Sequence, residues 1–405
     1  MDKRILIRFL LLAVIAHAAA VSCIYPFTPI LESSDNRLVV EGSIHPGAMS
    51  TFYFSYVYPL SSTAVSPGAP QVSGYIEGED GTRVQPVETG IRQREDFQYS
   101  PQYCLRFDTS HLSDTQRYRI HFQLGGGNVF ESEWATVSHA PVIDELSYIM
   151  DKTRSELNIA LSMHCLGNSH FRWHYDEDWE YHADLWGLYY FDPDLFSTTT
   201  PLDALIPYEN GENTYYCWRN VRSPQIKLFS TADLTEDRFV DLEFHRINSF
   251  DERLMTLYRL HVYVEALDED TFLYWNNIQE NSQNQGSIFS PTPSQMQGNI
   301  RCLTDPNIQV IGWVNASCEA EAEVYYDNGL EHFYSGRTNS NVDIKELTNP
   351  ADFYYYYLHG FYPFDVIPEM MGNPPIYEWV LKSCVDCRNS GGTKNRPADW
   401  PNNHK

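Results

Sequence analysis

Short runs of β-branched and aromatic residues, each ended by a turn-forming cluster, are the feature that most constrains how this 405-residue chain can fold. Five such runs lie near the N-terminus, at residues 38–44, 51–57, 71–78, 117–124 and 129–137. Clusters such as Gly125-Gly126-Gly127 separate them at the spacing typical of a small sandwich. Every second residue from Tyr118 to Leu124 is apolar, which predicts a strand with one face in the core and the other in water.

The composition supports a mainly β fold of two domains. Hydrophobic residues make up 42% of the chain and aromatic residues 14%, which excludes a disordered chain and favours strands over charged amphipathic helices. The dipeptide Ala140-Pro141 marks the predicted boundary, because proline ends a strand. We predict a β-sandwich over residues 36–140, a larger β-rich domain over residues 141–390 and a flexible polar tail over residues 391–405.

One segment of the second domain has the pattern of a helix. Acidic residues begin the segment 268–281, where the helix dipole favours negative charge. Phe272, Trp275 and Ile278 follow at threefold spacing, as in a helix with one buried stripe. We therefore predict a helix here that packs on a sheet.

Residues 1–22 have the anatomy of a cleaved secretory signal peptide. A basic start, an apolar middle and a run of small residues precede Cys23. The apolar stretch is shorter than the ~20 residues that a membrane-spanning helix needs. A cysteine at this place resembles the lipobox of bacterial lipoproteins, in which the thiol is acylated and becomes the mature N-terminus. Residues 23–35 are then a lipidated tether, and the alternative is a secreted protein whose Cys23 forms a disulfide.

The acidic balance of the chain restricts its partners. Acidic residues number 54 against 28 basic ones, a formal charge of -26 at pH 7. We expect no nucleic-acid partner, because phosphate binding needs clustered Lys and Arg. An anionic membrane surface would also repel the chain, so we expect membrane association through acyl chains on Cys23.

The other cysteines predict disulfides rather than a metal site. Export places them in an oxidising compartment, where disulfides are the default, and they are Cys104, Cys165, Cys217, Cys302, Cys318, Cys384 and Cys387. The last two have the spacing of half a zinc site, but no second CxxC and no paired His motif accompanies them. We therefore predict no metal and no cofactor.

A strand predicted within residues 171–185 carries the one acidic and histidine cluster with a common direction. The cluster consists of His174, Asp176, Asp178, Glu180 and His182. Two histidines with carboxylates between them could ligate a divalent metal. The favoured alternative is an ordinary solvated face, because the outer faces of strands are normally charged in so acidic a chain.

The aromatic run at residues 353–364 is a candidate ligand platform. Tyr354, Tyr356, Phe361 and Tyr362 could stack on a small sugar or a peptide, since aromatic rings bind amphipathic ligands at low entropy cost. The alternative is core plus ordinary surface, because consecutive tyrosines on a strand point alternately inward and outward. The nucleophile-elbow, zinc-protease, P-loop and dinucleotide patterns are all missing. We therefore predict a protein that is not an enzyme, with an unrecognised hydrolase of glycan or peptide as an alternative.

A set of short stretches, in order across nearly the whole chain, forms a family-like pattern: Cys23 with Pro26, residues 38–42, 216–218, 274–275, 286–289 with Pro293, 298–300, 304–306, 310–313, 384–388 and 391–393, Pro397 and Trp400. Together these stretches resemble the family called Domain of Unknown Function 4249 (DUF4249), lipoproteins of the Bacteroidota envelope. The resemblance implies an immunoglobulin-like N-terminal sandwich and a β-rich second domain. It also implies an outer-membrane lipoprotein, often encoded beside a TonB-dependent receptor, and no catalytic residue.

The resemblance leads to two further predictions. Cys217, Cys384 and Cys387 lie in family-like stretches, and we expect at least one of the last two to bond a distant cysteine, with Cys217 the leading partner. We also expect a lipid-anchored outer-membrane protein that assists a TonB-dependent receptor in nutrient uptake, with a structural envelope protein as the alternative. The residues after Cys23 lack the acidic pattern of surface-exported lipoproteins, so the periplasmic face and the cell surface are both open.

Overall fold

The computed structural model describes residues 37–57, 68–92, 102–151, 153, 155–165, 167, 169–209, 214–223, 227–283, 298–328 and 342–401. The predicted signal peptide, Cys23 and the tether at residues 23–35 lie outside these ranges. The described chain is mainly β, with several sheets and few helices, which confirms the predicted fold class. None of the helices in the described ranges is long and apolar enough to cross a membrane.

A sandwich of two sheets forms the N-terminal part of the protein. The first sheet contains, in spatial order, β20 (Val310–Ile311), β1 (Arg37–Glu41), β2 (Met49–Val57), β6 (Gln102–Asp108) and β5 (Pro86–Arg92). The second sheet contains, in spatial order, β19 (Ile300–Cys302), β8 (Val129–Ser132), β7 (Arg117–Leu124), β3 (Val72–Gly78) and β4 (Arg83–Val84). Two further strands extend it, β9 (Ala135–Ser138) beside β7 and β21 (Ala316–Ser317) beside β9.

The alternation predicted for residues 117–124 accounts for the packing of this sandwich. In β7, Tyr118, Ile120 and Phe122 are buried, and the residues between them are half-buried on the outer face. Phe122 stacks on Phe130 and meets Phe54 of the other sheet edge to face, with ring centres 5.0 Å apart in both pairs. Full burial of each such side chain contributes roughly 1.5–3 kcal/mol, so these rings join the two sheets.

The predicted division of the chain at residue 140 needs a correction, because residues 300–317 return to the first sandwich. There β20 pairs in parallel with β1, and β21 pairs in parallel with β9. Gly312 allows this close approach, since a Cβ at that position would lie 2.2 Å from the carbonyl oxygen of Val40. A Cβ at Gly298 would lie 1.9 Å from the carbonyl oxygen of Gly312. Parallel pairing between such distant segments leaves no local pattern in the sequence, so the two domains are interleaved rather than consecutive.

A second sandwich follows the first. One sheet contains, in spatial order, β10 (Val142–Met150), β11 (Glu156–His164) and β17 (Arg238–Asn248). The other contains, in spatial order, β15 (Tyr216–Arg222), β12 (His170–His182), β18 (Leu257–Leu267) and β22 (Glu319–Asp327), with β16 (Lys227–Ser230) also paired to β12. Trp173 is fully buried between the sheets, stacked on Phe229 at 4.0 Å and edge to face with Phe244 at 5.7 Å.

The helix predicted over residues 268–281 is confirmed as α1 (Glu269–Gln283). The side chain of Asp268 accepts the backbone N–H of Thr271 at 2.7 Å, which satisfies a donor that the first turn leaves without an intrahelical partner. Phe272 stacks on His170 of β12 with ring centres 4.3 Å apart. The helix therefore packs on a sheet, as predicted.

A third, smaller unit is rich in aromatic residues. It consists of a sheet of β23 (Lys345–Leu347), β25 (Ile376–Leu381) and β24 (Phe361–Ile367), a hairpin of β13 (Tyr189–Phe191) and β14 (Leu205–Pro207), and the short helices α2 (Phe353–Leu358) and α3 (Lys382–Val385). Its core residues are Phe191, Ala204, Leu347, Phe353, Tyr377 and Trp379.

The aromatic run at residues 353–364 is not one strand but the helix α2 followed by β24. The Asn349 side chain accepts the backbone N–H of Ala351 at 3.2 Å just before the helix. Gly360 has φ +82°, a left-handed conformation that suits glycine and turns the chain into β24. The strict inside-and-outside alternation expected of a strand therefore does not apply to the consecutive tyrosines.

The predicted flexible tail, residues 391–405, is instead packed on β15 over its described part, residues 391–401. Thr393 and Trp218 exchange two backbone hydrogen bonds of 2.9 Å, and Lys394 donates its Nζ–H to the carbonyl oxygen of Tyr216 at 2.9 Å. Trp400 is buried in a small cluster with Trp218 and Leu257. Burial of this one large indole outweighs the polar, Gly- and Asn-rich composition that predicted fraying.

Candidate functional site

A cavity of about 300 Å³ lies in the third unit, between the hairpin β13–β14, the start of β24 and the segment after β25. We call it the tyrosine pocket. Its lining residues are Gly187, Tyr189, Tyr190, Phe191, Tyr208, Thr214, Tyr362, Pro363, Val385, Asp386 and Arg388. Aromatic rings dominate this lining, and two opposite charges are the only ionic groups among the lining residues.

The hairpin fixes the aromatic wall of the pocket. Tyr190 pairs with Ile206 across the two strands, and the backbone N–H of Tyr208 donates to the carbonyl oxygen of Leu188 at 3.0 Å. The rings of Tyr190 and Tyr208 lie 5.2 Å apart at an angle of 43°. Phe191 reaches from the same hairpin into the core, 5.4 Å from Trp379. This wall is thus preformed by packing.

The polar wall is a carboxylate and a guanidinium from one short segment. Asp386 is 3% exposed and accepts Nε–H and Nη2–H of Arg388 at 2.8 and 2.7 Å. It also accepts the backbone N–H of Arg388 at 3.1 Å. The hydrogen bond with Asp386 raises the pKa of Arg388, so the guanidinium is charged at any physiological pH.

Burial governs the phenol of Tyr208 that faces this wall. Desolvation raises the pKa of Tyr208, a hydrogen bond with Thr214 opposes the rise, and the charge of Asp386 adds to it. The phenol is therefore neutral near pH 7 and able both to donate and to accept a hydrogen bond. The pocket offers a neutral hydroxyl, a charged guanidinium and several ring faces to a ligand.

A disulfide fixes the polar wall to the second sandwich. The bond joins Cys217 of β15 to Cys387, which lies between the two charged residues of the pocket. The Tyr181 hydroxyl donates to the carbonyl oxygen of Cys387 at 2.7 Å, and the backbone N–H of Cys387 donates to the carbonyl oxygen of Thr214 at 3.0 Å. The sequence predicted that at least one of the two tail cysteines bonds a distant cysteine, with Cys217 the leading partner. The structure has this bond at Cys387 and not at Cys384.

The four residues of the predicted ligand platform are dispersed in the structure. Tyr362 lines the tyrosine pocket. Tyr356 and Phe361 meet edge to face at 5.7 Å and pack partly buried against the core of the third unit. Tyr354 is 40% exposed and stacks on Phe196 at 5.3 Å. These four rings therefore do not form one continuous platform.

Sequence reasoning missed most of the pocket. Tyr189, Tyr190 and Tyr208 come from a hairpin that lies more than 150 residues before Tyr362 in the chain, and no periodicity joins the two segments. The one available signal was the CxxC segment, because a disulfide brings whatever flanks its cysteines to a defined place.

The predicted solvated face of residues 174–182 is wrong for its central acids. Asp178 is 4% exposed and accepts Arg259 Nη2–H at 2.6 Å and Nε–H at 3.0 Å. Glu180 is fully buried and accepts the indole N–H of Trp400 at 3.0 Å. Partners from β18 and from the C-terminal segment cover this part of the strand, so these carboxylates are structural.

The histidines of that strand do not converge. His174 stacks on Tyr263 at 4.7 Å, and His182 stacks on Tyr215 at 4.8 Å. Eight residues along an extended strand separate them by about 26 Å, too far for one metal ion. The described ranges contain no group of three or more His, Cys, Asp or Glu placed to hold a metal ion.

The comparisons with known proteins decide the family. The family model described as Domain of unknown function (DUF4249) matches residues 24–323. The chain belongs to the DUF4249 family. The three tyrosines of the hairpin wall lie within the DUF4249 match, whereas Tyr362, Asp386 and Arg388 lie beyond its last residue.

Other comparisons add little to the DUF4249 assignment. The comparison with curated proteins found no match. Among solved structures, trypsin-activated alpha-2-macroglobulin from Escherichia coli is similar, with 10% sequence identity and a TM-score of 0.17. That similarity covers 58% of this chain and 14% of the other chain. The family assignment therefore rests on the DUF4249 match alone.

Proposed function

We propose that this protein is an outer-membrane lipoprotein that binds a small ligand in the tyrosine pocket and assists a TonB-dependent receptor in nutrient uptake. The observation that carries the proposal is the pocket itself. Its volume of about 300 Å³ lies at the lower end of the range for small-molecule sites. Several aromatic rings and a few polar groups are the composition that such sites have.

Rigidity of the pocket favours binding. Phe191 ties the hairpin wall to the core, and the Cys217–Cys387 disulfide ties the polar wall to the second sandwich. A ligand that enters a preformed site loses less free energy to the ordering of side chains and loops. The same features would also suit a catalytic site, so the choice between binding and catalysis depends on the polar groups of the pocket.

The polar groups of the pocket favour binding over hydrolysis. A glycoside hydrolase of the common kind uses two carboxyl groups, and Asp386 is the one carboxylate among the described lining residues. Both oxygens of Asp386 accept hydrogen bonds from Arg388, so this carboxylate is engaged within the protein and has no carboxyl partner in the pocket.

Exposed apolar residues of the third unit support a protein partner. Tyr355 is 59% exposed, Leu358, three residues later on α2, is 64% exposed, and Met371 of the same unit is fully exposed. Neighbouring apolar side chains at a surface are typical of interaction sites. The location in the outer membrane is supported by the signal-like residues 1–22 and by Cys23.

A thermal-shift screen tests the pocket. Sugars and short peptides are added to the wild-type protein, to a Tyr190→Ala and Tyr208→Ala double variant, and to Tyr148→Ala as a matched control on β10. A ligand at about 100 times its Kd stabilises the folded state by about 2.7 kcal/mol. We expect at least one compound to raise the Tm of the wild type and of the control but to leave the Tm of the double variant unchanged. Equal shifts in all three proteins would place binding elsewhere and contradict the proposal.

A further inference from the structure

Arg388 is held so that one edge of its guanidinium is directed away from Asp386. Asp386 occupies the edge formed by Nε and Nη2, at 2.8 and 2.7 Å. A guanidinium is planar and carries five N–H groups, so the edge formed by Nη1 and Nη2 is a second two-donor fork. Among the described residues, Nη1 has no hydrogen-bond acceptor, and the side chain is 53% exposed. Asp386 is thus a positioning residue for an accessible fork.

A second cation lies beside Asp386. Lys382 places its Nζ 3.9 Å from Asp386 Oδ2 and 5.1 Å from the centre of the Tyr362 ring. Two partly exposed cations therefore surround one buried carboxylate, in a chain whose formal charge is -26. Such a local excess attracts an anionic group, and a guanidinium fork matches a carboxylate in two parallel hydrogen bonds.

Rings stand beside the fork. Tyr208 and Tyr362 line the same pocket as Arg388. Tyr190 lies 5.2 Å from Tyr208, so a ring-shaped ligand would meet aromatic faces next to the point where its anionic group binds.

We propose that the tyrosine pocket binds a small ring compound that bears a carboxylate. The carboxylate lies on the Nη1–Nη2 fork of Arg388, and the ring lies against Tyr190 and Tyr208. This inference rests on the proposed function and specifies its ligand. The same chemistry has two sources, a hexuronate sugar and the C-terminal aromatic residue of a peptide.

Calorimetric titration of the full mature chain in detergent separates these sources. D-galacturonate is compared with D-galactose, and N-acetyl-tyrosine with its amide, because each pair differs mainly in the carboxylate. The variants are Arg388→Gln, Arg388→Lys and the control Arg83→Gln, an exposed arginine of the first sandwich. Circular dichroism and the Tm of each variant verify that it folds.

We expect one acid to bind the wild type at least about 10-fold more tightly than its neutral counterpart. Arg388→Gln should lower the affinity for that acid by about 10- to 100-fold. Arg388→Lys keeps the charge but lacks the fork, so it should restore only part of the affinity. Arg83→Gln should bind like the wild type. Whichever acid behaves in this way identifies the source of the ligand.

Equal affinities for an acid and its neutral partner, unchanged in Arg388→Gln, would overturn this inference. The proposed function would survive that result if Tyr190→Ala with Tyr208→Ala still abolished binding. If none of the four compounds binds the wild type, the inference is also overturned. The thermal-shift screen of sugars and peptides then tests the proposed function separately.

Discussion

The indole N–H of Trp400 donates to the buried carboxylate of Glu180 at 3.0 Å, across 220 residues of sequence. The indole also packs against Trp218 and Leu257. The C-terminal segment is therefore part of the second sandwich.

Replacement of Trp400 by alanine should destabilise the protein. The change removes a buried indole and a hydrogen bond to a buried carboxylate, and we expect the free energy of unfolding to fall by about 3–5 kcal/mol. Trp400→Phe keeps most of the ring but loses the N–H donor, so its free energy of unfolding should fall by about 1–3 kcal/mol. Urea unfolding, monitored by circular dichroism, measures the stability of both variants. Trp186→Ala is the control, because that indole is 42% exposed, and a Trp400→Ala variant no less stable than the control would contradict the packed tail.

His174 should make the stability depend on pH in the acidic range. Burial, followed by the charge of Arg222, lowers the pKa of His174 to about 3 from an ordinary value of 6.5. Between these values the unfolded chain binds a proton that the folded protein does not, so stability falls as the pH falls from 6.5 towards 3. One such group accounts for up to about 1.4 kcal/mol per pH unit.

The variant His174→Phe tests this dependence, because it keeps a ring against Tyr263 and removes the titration. Urea unfolding at pH 7.5, 6.5, 5.5 and 4.5 should show a shallower loss of stability in the variant than in the wild type. The exposed His139, replaced by phenylalanine, is the control and should leave the slope unchanged. Parallel slopes for His174→Phe and the wild type would mean that His174 protonates in the folded protein.

The disulfide between Cys217 and Cys387 should stabilise the protein and the pocket together. The two residues are 170 apart in sequence, and in the chain-entropy model closing a loop of that size contributes about 5 kcal/mol. We expect Cys217→Ser with Cys387→Ser to lower the urea midpoint and to make the protein insensitive to reductant. Peptide mapping without reduction should recover the two cysteines in one linked pair. Recovery of both as free thiols would contradict the structure.

Cys23 should be the residue that holds the protein on the membrane. The chain is strongly acidic, and a pair of acyl chains on this cysteine would supply the apolar area that stable anchoring needs. Cys23→Ala should therefore move the protein from the membrane fraction to the soluble fraction. If the variant still sediments with membranes after a high-salt wash, another contact is the anchor.

Local patterns predicted local structure well. Residues 117–124 alternate because each apolar side chain of β7 meets the same core, and α1 begins where acidic residues and a capping Asp268 predict a helix start. The sequence of each such element predicts its own structure, because the spacing of apolar residues that marks a strand or a helix lies within the segment itself.

Long-range partners explain what the sequence did not predict. The polar residues of β12 resemble a solvated face, but Asp178 meets Arg259 and Glu180 meets Trp400, both from distant segments. The return of β20 to the first sandwich depends on the close approach to β1 that Gly312 allows. The tyrosine pocket likewise joins two distant segments, so only its Tyr362 was among the predicted site residues.

Affinity purification of the tagged protein from membranes in mild detergent is the sharpest test of the proposed partnership with a TonB-dependent receptor. The bait is compared with the same protein carrying Cys23→Ala and with an unrelated tagged outer-membrane lipoprotein, and recovered proteins are quantified by mass spectrometry. We predict that a TonB-dependent receptor is recovered in near-stoichiometric amount with the wild-type bait only. Repeated recovery of the bait alone would contradict the proposed partnership and favour a structural role in the envelope.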